Sequence, residues 1–203
     1  MSDTTTIDLL RHGEPVGGKR YRGQLDDPLS ELGWRQMRHA ASAANPWQAI
    51  ITSPLCRCHE FARELSSKLS IPLTIDDRLK EVGFGSWEGQ TRQMIQTRDA
   101  SILSQFYCDP INNRPAGAEP LEEFSRRVVE ALQAAVQNHC GQHILLVAHA
   151  GVIRAALAST LNLPLANMYR FSIASASLSR IQIGGQRPPT VFFIGRQRLH
   201  DEI

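Results

Sequence analysis

The sequence lacks an excess of charge of either sign and lacks long apolar runs. Its 203 residues include 22 Lys and Arg and 20 Asp and Glu, so the formal net charge is +2. A balance this close to neutrality gives no support for binding to nucleic acid or to an anionic membrane. No apolar stretch approaches the ~20 residues that a helix needs to cross a bilayer. We therefore expect no nucleic-acid partner and no membrane partner.

Cysteine is also scarce, and no two of the four cysteines form a C-x-x-C pair. A domain of this length buries a core without covalent staples, so we expect free thiols at Cys56, Cys58, Cys108 and Cys140. Residues 1–6 are polar and lack the basic and apolar regions of a secretory signal. Since repeats and linkers are absent too, we expect one cytoplasmic globular domain over residues 1–203.

Motifs for nucleotides and metals are missing as well. Neither a P-loop nor a dinucleotide-type G-x-G-x-x-G is present, so nucleotide-driven chemistry has no support. Cys56, Cys58 and His59 are too few for structural zinc, and residues i and i+2 of a helix point to different faces. The adjacent carboxylates at 26–27 and 76–77 are expected to serve turns and caps. The sequence thus predicts no metal and no cofactor.

Short apolar runs alternate with longer helical patterns along the chain. Strands are predicted at residues 7–10, 49–52 and 144–148, and the last is almost wholly apolar, as expected of a strand covered on both faces. Helices are predicted at residues 30–44, 54–70, 121–136 and 151–161. Residues 178–183 and 191–194 form either a closing hairpin or two edge strands. The pattern predicts an α/β three-layer sandwich with a mostly parallel central sheet flanked by helices.

The most informative segment is residues 9–15, LLRHGEP, where an apolar run stops on Arg11 and His12. His149 follows the predicted strand at 144–148 in the same way. Sites of such sheets lie at the carboxyl ends of strands, next to helix N-termini that attract anions. A fixed cation beside an imidazole suits attack of the imidazole on phosphorus. The segment therefore indicates an enzyme that acts on phosphate esters.

Four segments, in order, resemble the signature of the histidine phosphatase superfamily, which includes phosphoglycerate mutases and small phosphatases. They are RHG at 11–13, SPLCR at 53–57, LKEVGFGSWEG at 79–89 and VAHAG at 147–151. The second is similar to the family's S-P-x-x-R, the third to L-x-E-x-x-F-G-x-W-E-G, and the fourth to its second-histidine segment. The third is the longest and most specific match. The resemblance implies a phosphoglycerate mutase-like fold.

The resemblance also implies a role for each of five residues. His12 attacks phosphorus and carries the phosphoryl group as phosphohistidine. The phosphoryl oxygens are bound by Arg11, Arg57 and His149, so that arginines take the place of Mg²⁺. Glu81 protonates the leaving alkoxide and then acts as base toward water. The two guanidinium groups are expected to keep His12 neutral, whereas Glu88, in the same segment as Glu81, is expected to have a structural role.

Two positions depart from the family's pattern. Ala150 stands where many members have glycine, and Gly18 stands where mutases and many phosphatases have asparagine. We expect Ala150 to be tolerated if its φ is negative. The missing amide at position 18 is expected to be replaced by Lys19, Arg20, Arg22 or Gln24. The predicted substrate-binding residues are accordingly Arg11, Arg57, His149, Arg22, Gln24 and Ala150.

Residues 11–37 most resemble the α-ribazole 5′-phosphate phosphatases of cobalamin assembly. The sequence predicts a metal-independent phosphomonoesterase: first an α-ribazole 5′-phosphate phosphatase, second a broad small-molecule or phosphosugar phosphatase, and third a phosphoglycerate mutase. Its partner is expected to be a small-molecule phosphate ester, and its oligomeric state is left open. The stretch between the Glu81 segment and the predicted helix at 121–136 is expected to set substrate choice, and residues 107–120 within it to cover the pocket as a mobile loop.

Two other signals compete with this interpretation. Cys108 and Arg114 have the C-x5-R spacing of cysteine phosphatases, but the residues between them contain no glycine and do not readily form a phosphate-binding loop. The other signal is a basic patch of Lys19, Arg20 and Arg22 with Tyr21, which suits polyanion binding by an inactive phosphatase fold. The complete set of catalytic residue types favours the enzyme.

Overall fold

The computed structural model describes residues 3–42 and 46–198. Within them, six strands form one sheet: β1 (Thr4–Arg11), β2 (Ala49–Thr52), β3 (Leu73–Ile75), β4 (His143–Ala148), β5 (Leu178–Gly184) and β6 (Thr190–Arg196). The α-helices of the same residues are α1 (Glu31–Ala40), α2 (Cys56–Leu69), α3 (Arg92–Arg98), α4 (Ile102–Cys108), α5 (Leu121–Asn138) and α6 (Ala150–Thr160). None of these helices is long and apolar enough to cross a membrane.

The strand order is β3-β2-β4-β1-β5-β6. The first four strands of this order run parallel, while β5 pairs antiparallel with β1 and β6 pairs antiparallel with β5. The predicted α/β sandwich with a mostly parallel central sheet is confirmed. Of the two alternatives for the last strands the hairpin is correct, with β5 inside the sheet and β6 at its edge.

Helices cover both faces of the sheet because its central strands are apolar on both sides. Along β4, Ile144 and Leu146 pack into the core that contains α5 and α6. The alternating residues Leu145 and Val147 pack into the core that contains α1 and α2. Successive side chains of a strand point to opposite faces, so a strand covered on both sides is a continuous apolar run.

Two helix boundaries differ from the prediction. Helix α1 ends at Ala40 rather than at Ala44, because the backbone of Ala41 leaves the helical region (φ −98°, ψ 16°); residues 43–45 lie outside the described residues. Helix α2 begins at Cys56 rather than at Pro54, because Leu55 is extended (φ −67°, ψ 134°). The short elements β3, α3 and α4 were not predicted, since three to seven residues show little periodicity.

The register of the parallel strands brings three strand ends together. Arg11 at the end of β1 pairs with Ala148 at the end of β4, and Thr52 at the end of β2 pairs with Val147. The next residues continue the ladder: the backbone N–H of His12 donates to Ala148 O at 2.9 Å and that of Ser53 donates to Val147 O at 3.0 Å. Segments distant in sequence therefore emerge side by side at one edge of the sheet.

A buried carboxylate lies in the middle of β1. Asp8 is 0% exposed and accepts from Trp47 Nε1 at 2.8 Å, from His143 Nε2 at 2.9 Å and from Arg180 Nε at 2.7 Å. Burial by itself raises the pKa of this carboxyl group, but the three hydrogen bonds outweigh it and hold the pKa below its ordinary value of 3.8. The carboxylate is thus stabilised by its donors rather than by water.

Asp8→Asn is expected to lower the free energy of unfolding by about 2 kcal/mol at neutral pH, less than for a wholly buried pair because Arg180 and His143 are partly exposed. A carboxyl group with a lowered folded pKa stabilises above its unfolded pKa, and that contribution is lost as pH falls through the lowered value. Urea unfolding of both proteins should therefore show a difference that shrinks below about pH 4. Asp77→Asn, which removes an exposed pair with Lys80, is the matched control, and an equal effect of both changes would contradict the expectation.

Candidate active site

A cavity of about 320 Å³ opens at the edge of the sheet where β1 and β4 end. It is lined by Arg11, His12, Arg22, Arg57, Glu81 and Arg154, among others. Four of the five predicted catalytic residues thus share one cavity. The fifth, His149, is 0% exposed and lies directly behind the wall, with its ring centroid 5.2 Å from that of His12.

The imidazole of His12 is oriented by its own backbone neighbour. Nδ1 lies 2.7 Å from Gly13 O, and because a carbonyl oxygen only accepts, Nδ1 carries the proton and Nε2 keeps a lone pair. Burial, and then the positive charges of Arg11 and Arg57, hold the pKa of His12 well below 6.5. At neutral pH the ring is therefore uncharged and has an available lone pair at Nε2.

The two arginines beside His12 are held differently. Arg11 Nη1 donates to Ile173 O at 2.5 Å, and burial lowers the pKa of Arg11 to about 10, so that it stays charged at neutral pH. Arg57 is 1% exposed, and its Nη1 and Nη2 donate to Leu25 O at 2.6 Å and Gly23 O at 2.9 Å. We expected both Nη atoms of Arg57 to bind phosphate, but each donates to a backbone carbonyl of the loop at residues 23–25.

A buried hydrogen-bond donor without a partner remains on each of these arginines. The Nε atoms of Arg11 and Arg57 are buried, and neither has a hydrogen-bond partner among residues 3–42 and 46–198. Leaving such a charged donor unsatisfied costs about 1–3 kcal/mol. An anion bound in the cavity is attracted to both guanidinium groups.

Glu81 lies in the loop that follows residues 77–79, and its carboxylate contacts the first turn of α6. Its Oε2 accepts from the backbone N–H of Gly151 at 3.1 Å, and its Oε1 accepts from that of Val82 at 3.0 Å. A Cβ at position 151 would lie 2.2 Å from Glu81 Oε1, so only glycine allows this approach. The positive end of the α6 dipole stabilises the carboxylate there.

Behind Glu81, Arg127 of α5 holds the backbone, a feature that the sequence analysis missed. Arg127 Nη1 donates to the carbonyls of Arg78 and Lys80 at 2.6 Å each, and Nη2 donates to that of Glu81 at 3.1 Å. Its other donors pair with Glu119 at 2.7 and 2.9 Å. No local pattern could have identified Arg127, since its partners are up to 49 residues away.

His149 is the N-cap residue of α6 and is held by Ser53. Its Nε2 lies 2.7 Å from Ser53 Oγ, and Ser53 Oγ accepts from Leu55 N at 3.3 Å. Burial, and then the charge of Arg57, hold the pKa of His149 well below 6.5. The ring is therefore neutral, and it contacts the ring of His12 edge-on from behind the cavity wall.

The other predicted binding residues occupy different places. Arg22 lines the cavity while it pairs with Asp27 at 2.9 Å. Gln24 is not among the lining residues, and its Nε2 donates to Glu81 O at 3.3 Å. Ala150 is not among them either; as the first residue of α6 it avoids a positive φ, so the absence of glycine causes no strain.

Glu88 connects two loops rather than lining the cavity. Its Oε1 accepts from Phe84 N at 2.9 Å and from Gln24 N at 3.2 Å. Gly23 has a φ of +52°, and a Cβ there would lie 1.9 Å from this oxygen. The contacts match the structural role expected for Glu88.

The competing signal of a cysteine phosphatase finds no geometric support. Cys108 is exposed and ends α4, and the turn after it is already filled by the Asp109 carboxylate, which accepts from Ile111 N and Asn112 N at 3.3 and 3.1 Å. The residues of the basic patch line the active-site cavity itself: Lys19, Arg20, Tyr21 and Arg22. Among the residues that the structure describes, no group of three His, Cys, Asp or Glu could hold a metal ion.

Residues 7–193 match the family model of the histidine phosphatase superfamily, branch 1. The chain belongs to this superfamily. A glucosyl-3-phosphoglycerate phosphatase of Mycobacterium tuberculosis is 34% identical over 78% of this chain and 76% of its own length. The adenosylcobalamin/α-ribazole phosphatase of Salmonella typhimurium is 29% identical over 86% of this chain and 89% of its own.

Solved structures agree with this membership. Bacillus stearothermophilus YhfR superposes with a TM-score of 0.85 at 29% identity, over 95% of this chain and 97% of its own. Other curated mycobacterial relatives, 32% identical, are longer, and the chain spans 49% of their length.

Proposed function

We propose that this chain is a phosphomonoesterase that works through a phosphohistidine at His12 and needs no metal. One observation carries the proposal: His12 is a neutral imidazole whose Nδ1 proton is donated to Gly13 O, and it lines the same cavity as Arg11, Arg57 and Glu81. This arrangement supplies a nucleophile, charge stabilisation and a proton source together.

The reaction proceeds in two balanced steps. In the first, His12 Nε2 forms a bond to phosphorus while the P–O ester bond breaks, and Glu81 in its acid form gives its proton to the leaving oxygen. In the second, the Glu81 carboxylate takes a proton from water, the water oxygen bonds to phosphorus, and the P–N bond breaks. The charges of Arg11 and Arg57 stabilise the phosphoryl oxygens in both steps, as Mg²⁺ does in other phosphoryl transfer enzymes.

A small organic phosphate is the substrate class that we propose. α-Ribazole 5′-phosphate is the first candidate, supported by the similarity to the Salmonella enzyme and by the aromatic rings of Tyr21, Tyr107 and Tyr169 around the cavity. A broad small-molecule or phosphosugar phosphatase is the second, and a mutase the third. The proposal includes a cytoplasmic location and no nucleic-acid or membrane partner, whereas mobility of residues 107–120 stays a prediction.

Hydrolysis of p-nitrophenyl phosphate in EDTA tests the proposed chemistry. We expect unimpaired turnover in EDTA and after iodoacetamide, together with an acid-labile phosphoenzyme. Loss of activity in EDTA would indicate a metal, and loss after iodoacetamide a cysteine nucleophile. An inactive binding scaffold would give no hydrolysis. A screen of phosphate esters that includes α-ribazole 5′-phosphate then orders the candidate substrates.

A further inference from the structure

A further cation, Arg154, lines the cavity on the side of the proton donor. Arg154 lies in α6 three residues after Gly151, whose N–H holds the Glu81 carboxylate at 3.1 Å. Residues i and i+3 of a helix share a face, so Arg154 stands on the Glu81 side of the cavity. Because the proposed function has Glu81 protonate the ester oxygen, a cation on the Glu81 side of the cavity can meet the leaving group.

The guanidinium group of Arg154 is oriented but not neutralised. Its Nε donates to Phe171 O at 2.9 Å, and its Cζ lies 5.5 Å from the ring centre of Tyr169. In the part of the chain that the structure describes, neither Nη atom makes a hydrogen bond and no carboxylate forms a salt bridge with Arg154. Two charged N–H₂ groups are therefore free to bind a ligand in the cavity.

The neighbours of Arg154 respond to its charge. Burial is the largest cause of the lowered pKa of Arg11, and the positive charge of Arg154 lowers it further. Burial raises the pKa of Tyr169, whereas the positive charge of Arg154 lowers it. Arg154 thus adds to an excess of positive charge at the cavity wall, which an anionic ligand would offset.

We propose that Arg154, seated over Tyr169, is a subsite for a second anionic group, carried by the leaving group of the substrate. A carboxylate or a second phosphate matches the two free donors of the guanidinium fork. The preferred substrates are then phosphate monoesters of hydroxy acids, or bisphosphates, which favours the second candidate, a small-molecule phosphatase, over α-ribazole 5′-phosphate, because the leaving group of the latter carries no anionic group. This inference rests on the proposed function and adds the substrate class to it.

A matched pair of esters tests the subsite. 3-Phosphoglycerate and glycerol 3-phosphate differ only by a carboxylate in place of a hydroxymethyl group. We expect the ratio of their kcat/KM values to be about tenfold to a hundredfold in favour of the acid, as for a charge-assisted hydrogen bond. 1,3-Propanediol bisphosphate and the corresponding monophosphate form the pair that tests a second phosphate.

Arg154→Met is expected to bring the kcat/KM ratio down to about one in each pair that shows a preference for the second anionic group. The expectation holds whatever the effect of the change on the ester that lacks this group. Arg98→Met is the control, because Arg98 is an exposed arginine of α3 outside the main cavity and its loss changes the net charge equally; it should leave the ratio unchanged.

A ratio near one for both pairs in the unmodified protein would overturn the subsite and leave the proposed phosphatase intact. An unaltered ratio in Arg154→Met would overturn it as well. Absence of hydrolysis and of phosphoenzyme with every ester would instead overturn the proposed function, and the subsite with it.

Discussion

Replacement of His12 by alanine is expected to abolish both turnover and the phosphoenzyme. Nε2 of His12 has the lone pair that attacks phosphorus, since Nδ1 carries the proton and donates it to Gly13 O. Loss of an enzyme's nucleophile lowers kcat by about 10⁴-fold or more. Steady-state hydrolysis of p-nitrophenyl phosphate measures the first effect, and rapid acid-free quenching with ³²P-labelled substrate measures the second.

The control for this change is His39→Ala, which alters an exposed histidine of α1 and should keep full labelling. His149 is the alternative nucleophile, because its ring lies only 5.2 Å from that of His12. If the label persisted in His12→Ala and disappeared in His149→Ala, the assignment would have to be exchanged. Its complete burial and its bond to Ser53 argue against that outcome.

Glu81→Gln is expected to separate esters by their leaving groups. A carboxamide retains the size of the side chain and an oxygen that can accept from Gly151 N, but it has no proton to give. General acid catalysis contributes about 10²- to 10⁴-fold, so alkyl phosphates should lose about that factor in kcat/KM. p-Nitrophenolate leaves without a proton, so phosphorylation of His12 by its ester should be much less affected.

The second step provides an independent readout of the same variant. Since the Glu81 carboxylate is proposed to activate water, Glu81→Gln should accumulate phosphoenzyme and release a burst of p-nitrophenol before a slow steady state. Glu88→Gln is the matched control, because Glu88 accepts from Phe84 N and Gln24 N outside the cavity. Equal losses on alkyl and aryl esters would show that Glu81 has a structural role instead of a proton-transfer role.

The predicted site depended on residues next to strand ends and helix starts. Arg11, His12 and Arg57 follow or flank short buried elements, and parallel strands bring their carboxyl ends to one edge. Their convergence could therefore be anticipated from the apolar runs and the four segments. The helix ends at Ala40 and Cys56 could not, because single backbone torsions decide them.

What the sequence by itself determined is the sheet, its two covered faces and the residue types at its active edge, since apolar periodicity and short motifs are local properties. The tertiary structure alone decided which atoms are free. In the folded chain the Nη atoms of Arg57 donate to the carbonyls of Gly23 and Leu25, whereas those of Arg154 remain available to a ligand in the cavity. Hydrogen bonds between segments tens of residues apart make these choices, and the distances that govern them exist only in the folded chain.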